Sequence, residues 1–204
     1  MAGEAVRSFV DSGRKRALEA FLVSTGVVAL AEMGDKTQIL ALILAARFRK
    51  PLPIILGILA ATLANHTVAA AIGAWLTSAL DPSVLRVALG ISFIAMAAWT
   101  LVPDRLDERD ARLPHTGVFM ATIVAFFLAE IGDKTQIATV ALAARFHAFG
   151  NVIAGTTLGM MIANVPAVLI GRRLAHRVPI RLVRGVAAVV FLALGIVALA
   201  RIAR

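Results

Sequence analysis

The sequence predicts an all-α integral membrane protein of six transmembrane helices, arranged as two inverted three-helix repeats. Three observations carry that prediction. Of the 204 residues, 60% are hydrophobic and 16% charged, and mean hydropathy is +0.87. Apolar runs recur along the chain at about the 20-residue length that a hydrocarbon core about 30 Å thick demands of a spanning helix. Inside two of those runs one seven-residue motif is written twice, as Glu32-Met33-Gly34-Asp35-Lys36-Thr37-Gln38 and Glu130-Ile131-Gly132-Asp133-Lys134-Thr135-Gln136.

The N-terminus is the first element to place. Arg7, Arg14, Lys15 and Arg16 followed by the apolar run 21–31 imitate the basic and apolar parts of a secretory signal, with Ala29-Leu30-Ala31 as its cleavage site. A similar lead-in, Phe126-Phe127-Leu128-Ala129, precedes the second motif in mid-chain, where no signal can operate. The lead-in therefore belongs to the repeat. Apolar runs between charged or proline-bearing breaks then give spans at 17–46, 52–78, 84–102, 117–144, 151–171 and 182–200. A tail, 1–16, precedes the first repeat, 17–102; a hydrophilic loop, 103–115, with Pro at both ends, separates it from the second, 116–204.

Position 32 corresponds to 130, an offset of 98. The same offset pairs Ala45-Ala46-Arg47-Phe48 with Ala143-Ala144-Arg145-Phe146, Gly57 with Gly155, and Gly73 with Gly171. Leu63-Ala64-Asn65 and Ile162-Ala163-Asn164 align with a slip of one residue. An odd number of crossings per repeat sends the second copy in from the opposite face. Inverted repeats place a site near the midplane, between the copies.

Net charge is +9, but the basic residues lie in short loops between apolar runs, where they set orientation rather than bind nucleic acid. Their distribution narrowly favours the N-terminus outside. Without cysteine the chain has no disulfide, Fe–S cluster or thiolate zinc site. Neither a phosphate-binding loop nor a Ser-His-Asp pattern is present, so no enzyme is expected, and no cofactor.

Ionisable groups at mid-membrane cost a few kcal/mol each and mark functional sites. Read as one continuous helix, each motif presents its carboxylates three residues apart on a shared face: Glu32 with Asp35, Glu130 with Asp133. Two such helices meeting at the centre would bring all four together. Lys36 and Lys134 stand four residues after a Glu and can pair within each copy. Four carboxylates and two ammoniums leave two negative charges, which a divalent cation neutralises. Oxygen donors suit Mn²⁺, Ca²⁺ or Mg²⁺ rather than Cu(I). Thr37, Gln38, Thr135, Gln136, Asn65 and Asn164 are the further candidate ligands or supporting groups. Gly34 and Gly132 allow the backbone to kink or open there. His66 reads as a packing residue, Trp75 and Trp99 as interfacial anchors, and Gly73 with Gly171 as points of close helix contact.

The duplicated Glu-x-Gly-Asp-Lys-Thr, in a chain with six apolar runs, closely resembles uncharacterised protein family 0016, over essentially everything after Arg16. That family comprises Mn²⁺ and Ca²⁺ transporters that exchange for H⁺. The resemblance implies a cation/proton antiporter in a bacterial inner membrane, with Mn²⁺ favoured, and carries the acidic ligand role to Glu32, Asp35, Glu130 and Asp133. Two other readings stay open: a membrane chaperone or assembly factor that binds metal without moving it, and a small amino-acid exporter.

Overall fold

A computed structural model of the chain describes residues 2–102, 117–170 and 180–200. The central loop 103–115 and Gly171 lie outside them. Among the described residues all regular structure is helical: α1 (Ala2–Glu32), α2 (Lys36–Phe48), α3 (Pro51–Ala79), α4 (Pro82–Thr100), α5 (Val118–Glu130), α6 (Lys134–Phe146), α7 (Phe149–Ile170) and α8 (Ile180–Ala200). Four of these, α3, α4, α7 and α8, are long and apolar enough to cross a membrane, and a fifth span arises if α1 and α2 count as one bent element. The medium is legible on α8, where Leu182, Val189 and Ile196, seven residues apart, are 65%, 65% and 55% exposed. A continuous apolar face of that kind is stable against lipid and not against water.

Two predicted spans are not single helices. The run 17–46 breaks between Glu32 and Lys36 with a bend of 70°, and the run 117–144 breaks between Glu130 and Lys134. The cause is local. Gly34 and Gly132 sit at φ of +80° and +75°, a left-handed conformation that ends a helix and that glycine adopts without a Cβ clash. The kink anticipated at these glycines is thus a complete interruption, and α1 itself runs back to Ala2.

Local structure repeats along with sequence. Helices α2 and α6 both end on a residue in the left-handed region, Arg49 and His147, whose N–H groups donate to Ala45 O and Ala143 O. Arg47 lies over the Phe48 ring as Arg145 lies over Phe146. Proline in the first turn starts α3 and α4, where its missing N–H costs nothing. Asp81 caps α4: its Oδ1 accepts from Ser83 Oγ and Ser83 N, and these bonds hold its carboxyl below the usual range.

Tertiary packing follows the same offset of 98. A Cβ built on Gly57 of α3 would stand 3.0 Å from Phe119 O of α5; one built on Gly155 of α7 would stand 2.5 Å from Phe21 O of α1. Both glycines therefore let backbones touch, as small residues do in membrane helix pairs. Gly159 meets Thr25 and Ala29 one turn further along, so α1 and α7 run parallel. Asn65 Nδ2 donates to Phe127 O, about two turns beyond the contact of Gly57 with Phe119 on both helices, so α3 and α5 do too. Phe93 of α4 and its counterpart Phe191 of α8, 98 residues later, stack on each other with centroids 6.4 Å apart. Gly73 packs on the α6 backbone at Val140, the close contact expected of it.

Candidate functional site

Each motif is divided by its helix break into a carboxylate at the end of one helix and a carboxylate at the start of the next. Glu32 is the last residue of α1 and Glu130 the last of α5; Asp35 and Asp133 are the N-cap residues of α2 and α6. The shared-face geometry expected of a continuous helix does not hold. A tight turn joins the two parts instead, with Asp35 N donating to Glu32 O at 3.0 Å and Asp133 N to Glu130 O at 3.1 Å. The motif glutamines close the turns: Gln38 Oε1 accepts from Gly34 N at 3.0 Å and Gln136 Oε1 from Gly132 N at 2.8 Å.

Three of the four acids converge. Glu32, Asp35 and Asp133 each offer an oxygen within 4.8 Å of the others, and all three are buried. Both copies contribute, and Asp35 and Asp133 are repeat counterparts. Thr37 Oγ1 donates to Glu32 Oε2 at 2.5 Å, while Glu32 Oε1 has no hydrogen-bond donor among the described residues. Thr135 Oγ1 stands 3.4 Å from Asp133 Oδ2. Lys134, only 1% exposed, reaches Asp35 Oδ1 at 2.5 Å. This ion pair crosses between the copies, whereas pairing within a copy was expected.

Glu130, the fourth acid of the expected quartet, is not among the oxygens that converge within 4.8 Å, though Glu32, Asp133 and Asp35 all act on it electrostatically. Among the described residues neither of its oxygens receives a hydrogen bond, and His66 Nε2 stands 3.7 Å from Glu130 Oε2. His66, read from sequence as packing, is fully buried with both ring nitrogens lacking hydrogen-bond partners. What placed it there is the α3·α5 contact, which the sequence does not announce. The amides divide differently. Asn65 and Gln38 link the copies, to Phe127 O at 3.2 Å and Ala163 O at 3.0 Å, whereas Asn164 Nδ2 turns back to Met160 O on its own helix. Asn164 Oδ1 is left buried and unpaired. Lys36 is half-buried. Trp75 and Trp99 are 63% and 37% exposed near the C-terminal ends of α3 and α4.

The family model of the divalent cation/proton antiporter GDT1 matches residues 20–108 and 118–203. The chain belongs to the GDT1 family. The two matched segments begin at 20 and 118, the offset that separates the motifs, and the resemblance drawn from the duplicated motif is borne out. A Vibrio cholerae protein named "Putative manganese exporter" is 51% identical over 176 residues, which is 86% of this chain and 88% of that one. A GDT1-like protein of Synechocystis is 29% identical over 182 residues, 79% of this chain and 87% of its own. Rice GDT1-like protein 3 is 27% identical over 201 residues, 85% of this chain and 71% of its own. No solved structure matches. As a GDT1 protein the chain is a membrane transporter, not an enzyme.

One basic residue of this GDT1 chain, read from sequence only as a loop charge that sets orientation, reaches the first motif. Arg184, in the first turns of α8, donates from Nη2 to Gly34 O at 2.8 Å. Ile180 lies over the same glycine, whereas among the described residues nothing approaches within 4 Å of a Cβ built on Gly132. The two breaks are chemically equivalent and differently covered.

Proposed function

We propose that this protein exports Mn²⁺ across the bacterial inner membrane in exchange for H⁺, holding the cation on Glu32, Asp35 and Asp133. The observation that carries the reading is the convergence of three buried carboxylates from both copies within 4.8 Å, one of them with an oxygen that no donor satisfies. Buried anions persist where a cation can join them, and oxygen donors at this spacing suit a hard divalent ion. Thr37 and Thr135 orient Glu32 and Asp133; Gln38 and Gln136 brace the turns that present them. Mn²⁺ is preferred to Ca²⁺ because of the name given to the Vibrio cholerae relative, since oxygen ligands alone suit both.

The six-span inverted arrangement is part of the proposal. Counting α1–α2 and α5–α6 as broken spans, each repeat has three crossings, and contacts at Gly57 and Gly155, related by the repeat, support it. If α3 returns through the membrane, α5, which runs parallel to it, enters opposite to α1. Glu130, the counterpart of Glu32, then takes its turn at the site as access passes from one face to the other. Cation and proton compete for the same carboxylates, so exchange follows from shared ligands.

Reconstitution tests this. In proteoliposomes with voltage clamped, a proton gradient should drive Mn²⁺ uphill with net proton movement the other way. Mn²⁺ flux that ignores the proton gradient refutes exchange, and binding without flux indicates a chaperone.

A further inference from the structure

The two motif lysines share the context Gly-Asp-Lys-Thr-Gln and differ in structure. Lys36 is half-buried at the start of α2. Lys134, at the start of α6, is sealed from solvent with its Nζ 2.5 Å from Asp35 Oδ1. Helix starts carry partial positive charge, so an ammonium buried at the first residue of α6 opposes the local dipole as well as losing its hydration. Packing alone would be served better by an apolar side chain. What the ammonium meets is the carboxylate cluster, through an aspartate of the other copy.

We infer that Lys134 is a tethered counter-charge that sets the valence of the cation this site accepts. This rests on the proposed assignment of Glu32, Asp35 and Asp133 as the cation site. Three carboxylates and one fixed ammonium leave two negative charges, so a divalent ion brings the buried cluster to neutrality. A monovalent ion leaves one uncompensated negative charge, and a trivalent ion leaves one uncompensated positive charge. In a poorly screened interior an unmatched charge is expensive, so the lysine discriminates by charge where the oxygen ligands discriminate little. Removing it makes the cluster trianionic and suited to a trivalent ion.

The test is competition between La³⁺ and Mn²⁺ for the purified full-length protein, read as the ratio of their dissociation constants. Lys134→Met should shift the ratio toward La³⁺ by about tenfold or more, the scale of one added charge interaction at short range. Lys134→Arg, which keeps the charge, should leave it near the wild-type value, and so should Lys36→Met. A Lys134→Met protein with the wild-type ratio overturns the inference, as does an equal shift in Lys36→Met. Should Lys134→Met fail to fold, Asp35→Asn is compared with Asp35→Asn/Lys134→Met, where the second change should move the ratio in the same direction; no movement overturns the inference. The underlying site assignment fails separately: it is refuted if wild-type protein shows no saturable Mn²⁺ binding, or if Glu32→Gln binds as wild type does. A structural lysine would alter folding or both affinities together and leave their ratio alone.

Discussion

The guanidinium of Arg184 closes the break in the first motif by donating to the carbonyl of Gly34 at 2.8 Å, across 150 residues of chain. A helix that stops inside the protein leaves carbonyls without partners, and within a membrane no bulk water is available to satisfy them. A cation at a helix C-terminus also matches the partial negative charge there. Ile180 completes the cover over Gly34.

Arg184→Met should therefore lower thermal stability in detergent. Hydrogen bonds to charged groups are worth about 1.5–3 kcal/mol, so a loss in that range is expected, with Arg184→Lys recovering part of it. Melting followed by intrinsic tryptophan fluorescence measures this. An unchanged midpoint in Arg184→Met would show that the bond contributes nothing.

The two motif glycines should respond unequally to alanine. Both adopt positive φ, which costs a non-glycine residue about 1–2 kcal/mol. At Gly132 a Cβ meets nothing within 4 Å among the described residues, which leaves the strain as the effect, whereas at Gly34 it would lie 2.5 Å from Ile180 Cγ2. Gly34→Ala is expected to be the more destabilising in the same melting assay. The reverse order would contradict the observed difference in cover.

Among the acids, binding and transport should separate. Glu32→Gln, Asp35→Asn and Asp133→Asn each remove a charge from the converged cluster and should weaken Mn²⁺ binding by about tenfold or more. Glu130→Gln should leave binding to the purified protein nearly intact and abolish flux, because Glu130 lies with His66 rather than in the cluster. Titration of binding alongside proteoliposome flux distinguishes the two classes. Equal loss of binding in all four variants would restore the symmetric quartet.

Topology can be read from the two exposed left-handed caps. Arg49 and His147 end the corresponding helices α2 and α6. In an inverted pair Arg49→Cys and His147→Cys should label from opposite sides with a membrane-impermeant thiol reagent, against the cysteine-free background of this chain. Labelling of both from one side refutes inversion.

The membrane environment, the repeat and the identity of the ionisable residues were determined by the sequence alone, because each depends on composition and spacing along the chain. An apolar run declares its solvent whatever it packs against, and a motif written twice at an offset of 98 declares a duplication. The glycines even marked where the chain would turn. Tertiary structure decided how those charges are grouped. Periodicity along a helix placed Glu32 beside Asp35 and Lys134 beside Glu130, since within one element three- and four-residue spacings are the neighbours available. Once Gly34 and Gly132 interrupt the helices, the packing of α1 on α7 and α3 on α5 governs proximity instead. That packing carries Lys134 to Asp35, gathers three acids and leaves Glu130 with His66. The cover of Arg184 and Ile180 over one break, with no counterpart at the other among the described residues, has the same origin: two nearly identical motifs acquire different surroundings because α8 packs over the first of them.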